Sequence, residues 1–289
     1  MRRGIDVVKI LDGKKLAQQL NKQTAQRVAA LKDKGIIPGL AVVLVGNDPA
    51  SLIYTRNKSR QADKLGFKSI LKKLPADVTQ QELLSVIHQL NADPAVHGIL
   101  VQEPLPDQIN QSKVIETIDP AKDVDGFNPI NVGKLYADDG QHFPVACTPR
   151  GIMTMLEHYQ IPVAGADVAI IGRSRLVGKP LQALMINQNA TVTMLHHASA
   201  DAEYYLRHAD IVVVGIGKAN YLHSQDIKKG AVVIDVGINR NAAGHLVGDV
   251  DYKDVSTVAS AITPVPGGVG PMTIATLMQQ TVDLTEWSN

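Results

Sequence analysis

The chain has 289 residues, 45% of them hydrophobic, and a formal net charge of +1. That length predicts one large or two ordinary domains with a real core, and the balanced charge gives no push toward nucleic acid or an anionic membrane. No apolar run reaches membrane-spanning length, the start at Met1–Asp6 is basic without a secretory apolar core, and one cysteine, Cys147, excludes an internal disulfide framework, so a soluble cytoplasmic protein is expected.

Lys14 to Leu31 carries Leu16, Leu20, Val28 and Leu31 at a helical period, and Gly35 and Pro38 end that helix. Gly39 to Gly46 reads as a buried strand with a turn at Asn47-Asp48-Pro49. A second helix follows from about Ala50 to Leu65. Tyr54, Lys58, Ala62 and Leu65 share one of its faces, so Tyr54 and Lys58 are either a ring packed on a lysine stem or a functional pair one turn past a strand. Phe67 to Leu74 predicts a strand, and Thr79 to Glu82 a capping box opening a helix.

Val96 to Val101 is a further strand. It runs into Gln102-Glu103-Pro104-Leu105-Pro106, a stiff loop where open α/β sheets place ligands, and Gln102 is the first polar residue there. Pro120 to Phe127 reads as a solvated acidic turn; no His or Cys stands at ligand spacing, and no metal is expected. Cys147 is expected as a small buried hydrophobe. Thr148 and Pro149 resemble an N-cap and first helical residue, and the domain boundary is placed there.

Asp167 to Pro180 is an apolar strand, a glycine turn and a helix start, with Gly172 and Gly178 separated by five residues. That spacing fits neither G-x-G-x-x-G nor a phosphate loop of the Walker type, so a dinucleotide cradle and a plain tight turn both remain open. The next strand, Ala190 to Leu195, ends at His196-His197. No acid follows until Asp201, where an NAD site usually holds one for the ribose, whereas Arg173 and His197 suit a 2′-phosphate; this favours NADP. Adjacent histidines on a strand point to opposite faces, so a joint metal site is not expected.

Asp210 to Gly215 and Ala231 to Gly237 are two more buried strands ending in Gly. In Thr263 to Thr273, six of eleven residues are Pro or Gly, which reads as a shaped backbone wall against a flat ligand, with Pro271 starting the last helix.

Taken together, Tyr54-x3-Lys58, Val101-Gln102-x-Pro104-Leu105-Pro106, Lys122 to Phe127, Gly172-Arg173-Ser174-x-x-Val177-Gly178-x-Pro180, Ile234 to Asn239, Gly248 to Asp251 and Thr263 to Thr273 resemble the bifunctional methylenetetrahydrofolate dehydrogenase/methenyltetrahydrofolate cyclohydrolase family. The resemblance covers nearly the whole chain. It implies an α/β protein of two domains with a cleft between them. Residues 1–147, with a returning helix at 271–289, would form the folate-binding catalytic domain, and residues 148–270 a Rossmann-like NADP domain. It further implies a cytoplasmic homodimer acting on tetrahydrofolate derivatives in one-carbon metabolism and purine biosynthesis.

Oxidation of 5,10-methylenetetrahydrofolate would need mainly alignment of two rings, because no proton is removed. Hydrolysis of the methenyl cation would need Lys58 as the proton-managing group. Tyr54 would orient it, Gln102 tune it, and Asp125 anchor the pterin. Gly267, Gly268 and Pro271 would wall the folate. Gly172, Arg173, Ser174, His197, Ile238 and Thr148 would contact NADP. Departures from the family are Glu103 for Leu, expected to point outward, Ala146 for Pro, Ala219 for Pro, and His197 for Ser or Arg. Two other readings are a dehydrogenase without cyclohydrolase activity and a non-catalytic dinucleotide sensor; the intact folate-side motifs argue against both.

Overall fold

The computed structural model describes residues 8–138, 140 and 142–288, the side chain of Ala50 apart, and the basic start at Met1–Asp6 lies outside the described residues. In chain order the elements are β1 (Lys9–Ile10), α1 (Gly13–Asp33), β2 (Gly39–Val45), α2 (Pro49–Leu65), β3 (Lys68–Leu74), α3 (Gln80–Ala92), β4 (Gly98–Val101), α4 (Gln111–Thr117) and α5 (Pro129–Ala137). There follow α6 (Cys147–His158), β5 (Asp167–Ile171), α7 (Gly178–Asn187), β6 (Thr191–Leu195), α8 (Ala202–His208), β7 (Ile211–Val214) and β8 (Val232–Asp235). The chain ends with β9 (Asn239–Arg240), β10 (Leu246–Val247), α9 (Tyr252–Val255), β11 (Ala261–Ile262) and α10 (Val269–Trp287).

Two compact units result: Thr148–Thr273 with the described residues up to Ala17, and Gln18–Cys147 with Ile274 onward. In the first, six strands pair in the order β1-β11-β8-β7-β5-β6, all parallel. Val168–Ile171, Ile211–Val214 and Val232–Ile234 are buried throughout, as strands covered on both faces must be. The chain leaves β5 first to one side, as β6, and then to the other, as β7. That reversal makes a topological switch point, where such sheets bind ligands.

In the second unit β2 is the centre of a parallel sheet ordered β3-β2-β4. Its residues alternate between two cores. Leu40 and Val42 pack with Val28 and Leu31 of α1, Cys147, and Leu277, Met278 and Val282 of α10. Ala41, Val43 and Val45 pack with Leu83 and Ile87 of α3. Arg27 ties α1 to α10 through Asp283 (2.6 Å) and Glu286 (2.7 Å). Among the described residues no helix is long and apolar enough to cross a membrane.

Three local expectations change. Thr148 and Pro149 lie inside α6, which already begins at Cys147, and Pro271 lies inside α10, which begins at Val269. Both prolines still sit in a first turn, where a missing N–H leaves no intrahelical bond unmade. His196 and His197 lie past β6 in a turn rather than on the strand. The Pro120–Phe127 turn is not simply solvated: Asp123 is 1% exposed.

Candidate active site

Helix α2 begins where the Asp48 side chain accepts from Ser51 N at 2.7 Å, with Pro49 in the first turn. Its face carries Tyr54, Lys58, Ala62 and Leu65; the last two are buried, Lys58 is half-buried and Tyr54 is exposed. Lys58 Nζ donates to Gln102 Oε1 at 3.0 Å. Gln102 follows β4 directly, and its backbone N–H donates to Val43 O at 2.8 Å. Its side-chain Nε2 donates to Glu103 O at 2.7 Å. With the amide nitrogen committed to that carbonyl, the amide oxygen is the end left for Lys58. Ser51 Oγ donates to the same Glu103 oxygen at 3.3 Å, tying the loop to the start of α2. Gln102 is the hydrogen-bond partner of Lys58; Tyr54 lies one turn away on the same face.

Asp125 is held by its neighbours on both sides. The buried Asp123 carboxylate accepts from Asn128 N at 2.8 Å and Asn131 Nδ2 at 3.0 Å. Burial pushes the Asp123 carboxyl up from the usual range, against those bonds. Gly126 has φ +69°, and a Cβ there would lie 2.4 Å from the Val145 carbonyl carbon, so only glycine fits. Gln280 of α10, fully buried, donates from Nε2 to Val124 O (2.6 Å) and Val145 O (2.9 Å) and accepts from Val145 N at 3.1 Å. Sequence reasoning did not single out Gln280 or Asp123. The available signal for Gln280 was a polar residue in an otherwise apolar helical stretch.

The Asp125 carboxyl is pushed up to about 6, chiefly by burial; Lys58 pulls it down, and the charges of Asp123 and Glu103 push it up. Lys58 and Asp125 are therefore electrostatic neighbours. Glu103, expected to point outward, is half-buried, and its charge reaches the site.

The other expected residues lie in the unit with the six-stranded sheet, most of them at its carboxyl edge. Gly172 ends β5 with φ +118°; a Cβ there would stand 2.6 Å from Gly215 O, beyond the end of β7. A Cβ on Gly178 would stand 1.9 Å from Gly172 O. The two glycines thus let strand end and helix start touch at the switch point, and leave a cradle that side chains would fill. Ser174 Oγ accepts from Val177 N at 3.1 Å, and Ser174 O from Lys179 N at 3.0 Å, closing the turn. Arg173 and His197 are exposed at the ends of β5 and β6. His196 is half-buried: its backbone N–H donates to Ser199 Oγ at 2.9 Å, and its ring Nδ1 accepts from Ala198 N at 3.2 Å. Ile238 follows β8 and is 51% exposed. Thr148 Oγ1 lies 2.9 Å from Thr273 Oγ1.

Two buried aspartates brace this edge. Asp235, at the end of β8, accepts from Gly237 N (2.9 Å), Asp249 N (2.9 Å) and Val250 N (3.0 Å). Asp249 Oδ2 in turn accepts from Ile216 N (2.7 Å) and Gly217 N (3.0 Å), and its Oδ1 from Asn239 Nδ2 at 2.8 Å. The loops after β7 and β8 are thereby locked to one carboxylate. Burial pushes the Asp235 carboxyl up to about 6, against its backbone donors.

The Gly/Pro segment also has a packing reason. A Cβ on Gly268 would stand 2.6 Å from Pro264 O, and a Cβ on Gly13 would stand 1.8 Å from Gly268 O. Lys14 N donates to Gly267 O at 2.8 Å, and Pro271 is half-buried in the first turn of α10. Among the described residues no three His, Cys, Asp or Glu side chains cluster as a metal site.

Two family models match the chain: the catalytic domain of tetrahydrofolate dehydrogenase/cyclohydrolase over residues 11–125, and its NAD(P)-binding domain over residues 146–289. Bifunctional protein FolD 1 of Lactobacillus johnsonii is 60% identical over 279 residues, covering 96% of this chain and 99% of the relative. The crystal structure of the bifunctional FolD dehydrogenase/cyclohydrolase from Campylobacter jejuni is 45% identical, covers 98% of this chain and 100% of that one, and superposes with a TM-score of 0.96. The Trypanosoma brucei dehydrogenase-cyclohydrolase, solved with NADP cofactor and inhibitor, is 36% identical with a TM-score of 0.92, covering 97% and 98%.

Proposed function

The chain belongs to the tetrahydrofolate dehydrogenase/cyclohydrolase family, and from that premise we propose how its residues divide the two reactions. The enzyme oxidises 5,10-methylenetetrahydrofolate to the 5,10-methenyl form with NADP and hydrolyses that cation to 10-formyltetrahydrofolate. The observation that carries the assignment of roles is the Lys58–Gln102 hydrogen bond beside the Asp125 carboxylate.

Folate binds in the Gln18–Cys147 unit. Asp125, ionised at neutral pH with a carboxyl near 6, accepts the N–H donors of the amino-pterin ring. Tyr54, exposed one turn from Lys58, offers its ring to the substrate. For the oxidation the site needs to align rings and exclude water, since the carbon that loses hydride is flanked by two nitrogens that share the resulting charge. For the hydrolysis, Lys58 Nζ takes the proton of the attacking water and returns one as the ring C–N bond opens. Gln102 holds that nitrogen in place.

NADP, when bound, supplies the hydride acceptor. The cradle at Gly172, Gly178 and Gly215 fits a diphosphate, with Ser174 shaping its turn. Arg173 and His197 take the 2′-phosphate where no acid stands to reject it, and Ile238 and Thr148 line the remainder. Gly267, Gly268 and Pro271 supply a backbone wall, shaped for a flat ligand, within the unit that carries the six-stranded sheet. The working enzyme is a cytoplasmic homodimer in one-carbon metabolism. A direct assay tests the whole reading. Methenyl and NADPH absorbance, followed from the methylene substrate with NADP, should rise together, and the methenyl signal should then decay; no NADPH formation would overturn it.

A further inference from the structure

We propose that the Glu103 carboxylate is a specificity-determining charge of the folate site, favouring the cationic methenyl form over the neutral methylene form. The inference rests on the assignment of Lys58, Gln102 and Asp125 to that site, and all four residues belong to the Gln18–Cys147 unit. Geometry brings Glu103 there. Ile99 of β4 bridges Asp123 in parallel, and Ile99 N donates to Lys122 O at 2.7 Å. The two segments run side by side in one direction, so Glu103 and Asp125 come out at the same carboxyl end of the sheet, where ligands bind. Glu103 O accepts from Gln102 Nε2 at 2.7 Å and from Ser51 Oγ at 3.3 Å. These bonds pin its backbone one residue from the amide that holds Lys58 Nζ at 3.0 Å. The residue is half-buried, so its charge is screened less than one in open solvent.

That charge is felt at Asp125, whose carboxyl is raised chiefly by burial, lowered by Lys58, and raised further by Asp123 and Glu103. Three carboxylates therefore act where Lys58 acts. Asp123 is engaged by Asn128 N and Asn131 Nδ2, and Asp125 takes the amino-pterin. Neither reaction, as divided above, uses the Glu103 charge. Hydride transfer creates a group that can. The carbon between two nitrogens is neutral in the methylene form and carries a shared positive charge in the methenyl form. Every other group of the folate is the same in both, so a fixed carboxylate discriminates by that one charge. Acting through a partly screened site with an effective dielectric of about 20, it shifts the relative affinity of the two forms ~10-fold. The same attraction lowers the barrier to hydride loss, whose transition state gains positive charge. It gives no such help to attack by water, which consumes that charge.

The test is steady-state kinetics on the full-length parent and on Glu103→Gln, Glu103→Leu and Glu103→Asp. Oxidation is followed from methylenetetrahydrofolate with saturating NADP, and hydrolysis from supplied methenyltetrahydrofolate. Glu103→Gln and Glu103→Leu should each raise KM for the methenyl substrate ~10-fold, leave KM for the methylene substrate within about 2-fold, and lower kcat of the oxidation. Glu103→Gln keeps the shape of the side chain, and either variant decides alone should the other fail to fold. Glu103→Asp keeps the charge and should hold the ratio of the two KM values near that of the parent. Both KM values moving together, neither moving, or Glu103→Asp behaving like Glu103→Gln would overturn the proposal. A parent enzyme that turned over neither substrate would instead overturn the folate reading beneath it.

Discussion

Gln102 Oε1 stands 3.0 Å from Lys58 Nζ, and the other end of the same amide is fixed on the Glu103 carbonyl at 2.7 Å. A residue at the end of β4 thereby sets where a lysine on α2 points. Replacing it tests that arrangement without touching the lysine. Gln102→Leu should lower the cyclohydrolase rate ~100-fold, the scale of one misplaced acid-base group, and lower the dehydrogenase rate less. Rate measurements on supplied methenyl and methylene substrates check it; equal losses would mean Gln102 serves binding alone.

Asp125 links function to pH. Its carboxyl is near 6 in the folded chain and near the ordinary ~3.9 when unfolded. A carboxyl raised on folding holds its proton more tightly in the native state. Its stabilising share is complete below about pH 4 and is lost as pH rises through 6. Asp125→Asn carries no charge at any of these pH values. Its melting temperature relative to the parent should rise between pH 4 and pH 7 and level off above that, while its folate KM increases. A flat difference across that window would contradict the assigned environment.

Arg173 should read the cofactor's 2′-phosphate. Arg173→Ala should raise KM for NADP about 10-fold or more while KM for NAD stays nearly unchanged, as a lost charge-assisted contact of about 1.5–3 kcal/mol implies. An unchanged ratio of the two constants would place that recognition elsewhere.

Asp249 touches no expected ligand, yet it holds the N–H groups of Ile216 and Gly217 and the Asn239 side chain. Asp249→Ala strands those donors and should weaken NADPH binding about 10-fold, while hydrolysis of supplied methenyltetrahydrofolate changes little. Asp249→Asn retains one acceptor oxygen and should recover part of the loss. NADPH fluorescence titration gives the comparison; identical affinities would make the brace irrelevant to the cofactor edge.

Much of this was legible in the sequence. The buried strands announced themselves as apolar runs, the capping box at Thr79 and Glu82 formed as written, and the Gly172–Gly178 spacing marked a tight turn whose geometry needs both glycines. Lys58, Gln102 and Asp125 came from separate segments, and only a family pattern could join them. Other features were silent for physical reasons. Strands β1 and β11 are two residues long and owe their pairing to partners far away in sequence. Asp123, Asp249 and Gln280 look like ordinary polar residues because their value lies in backbone groups supplied by distant loops. The end of β6 at Leu195 was read correctly, but His196 and His197 were treated as strand neighbours because local pattern does not reveal the turn that follows.

Lys58→Met gives the most direct test of the central claim, that one lysine runs the hydrolysis while the oxidation proceeds without it. The folded variant, given 5,10-methylenetetrahydrofolate and NADP, should form NADPH at a measurable rate and accumulate the methenyl product, with hydrolysis reduced ~10²–10⁴-fold. Equal loss of both activities in the folded variant, or methenyl product that decays as it does with the parent enzyme, would contradict the account.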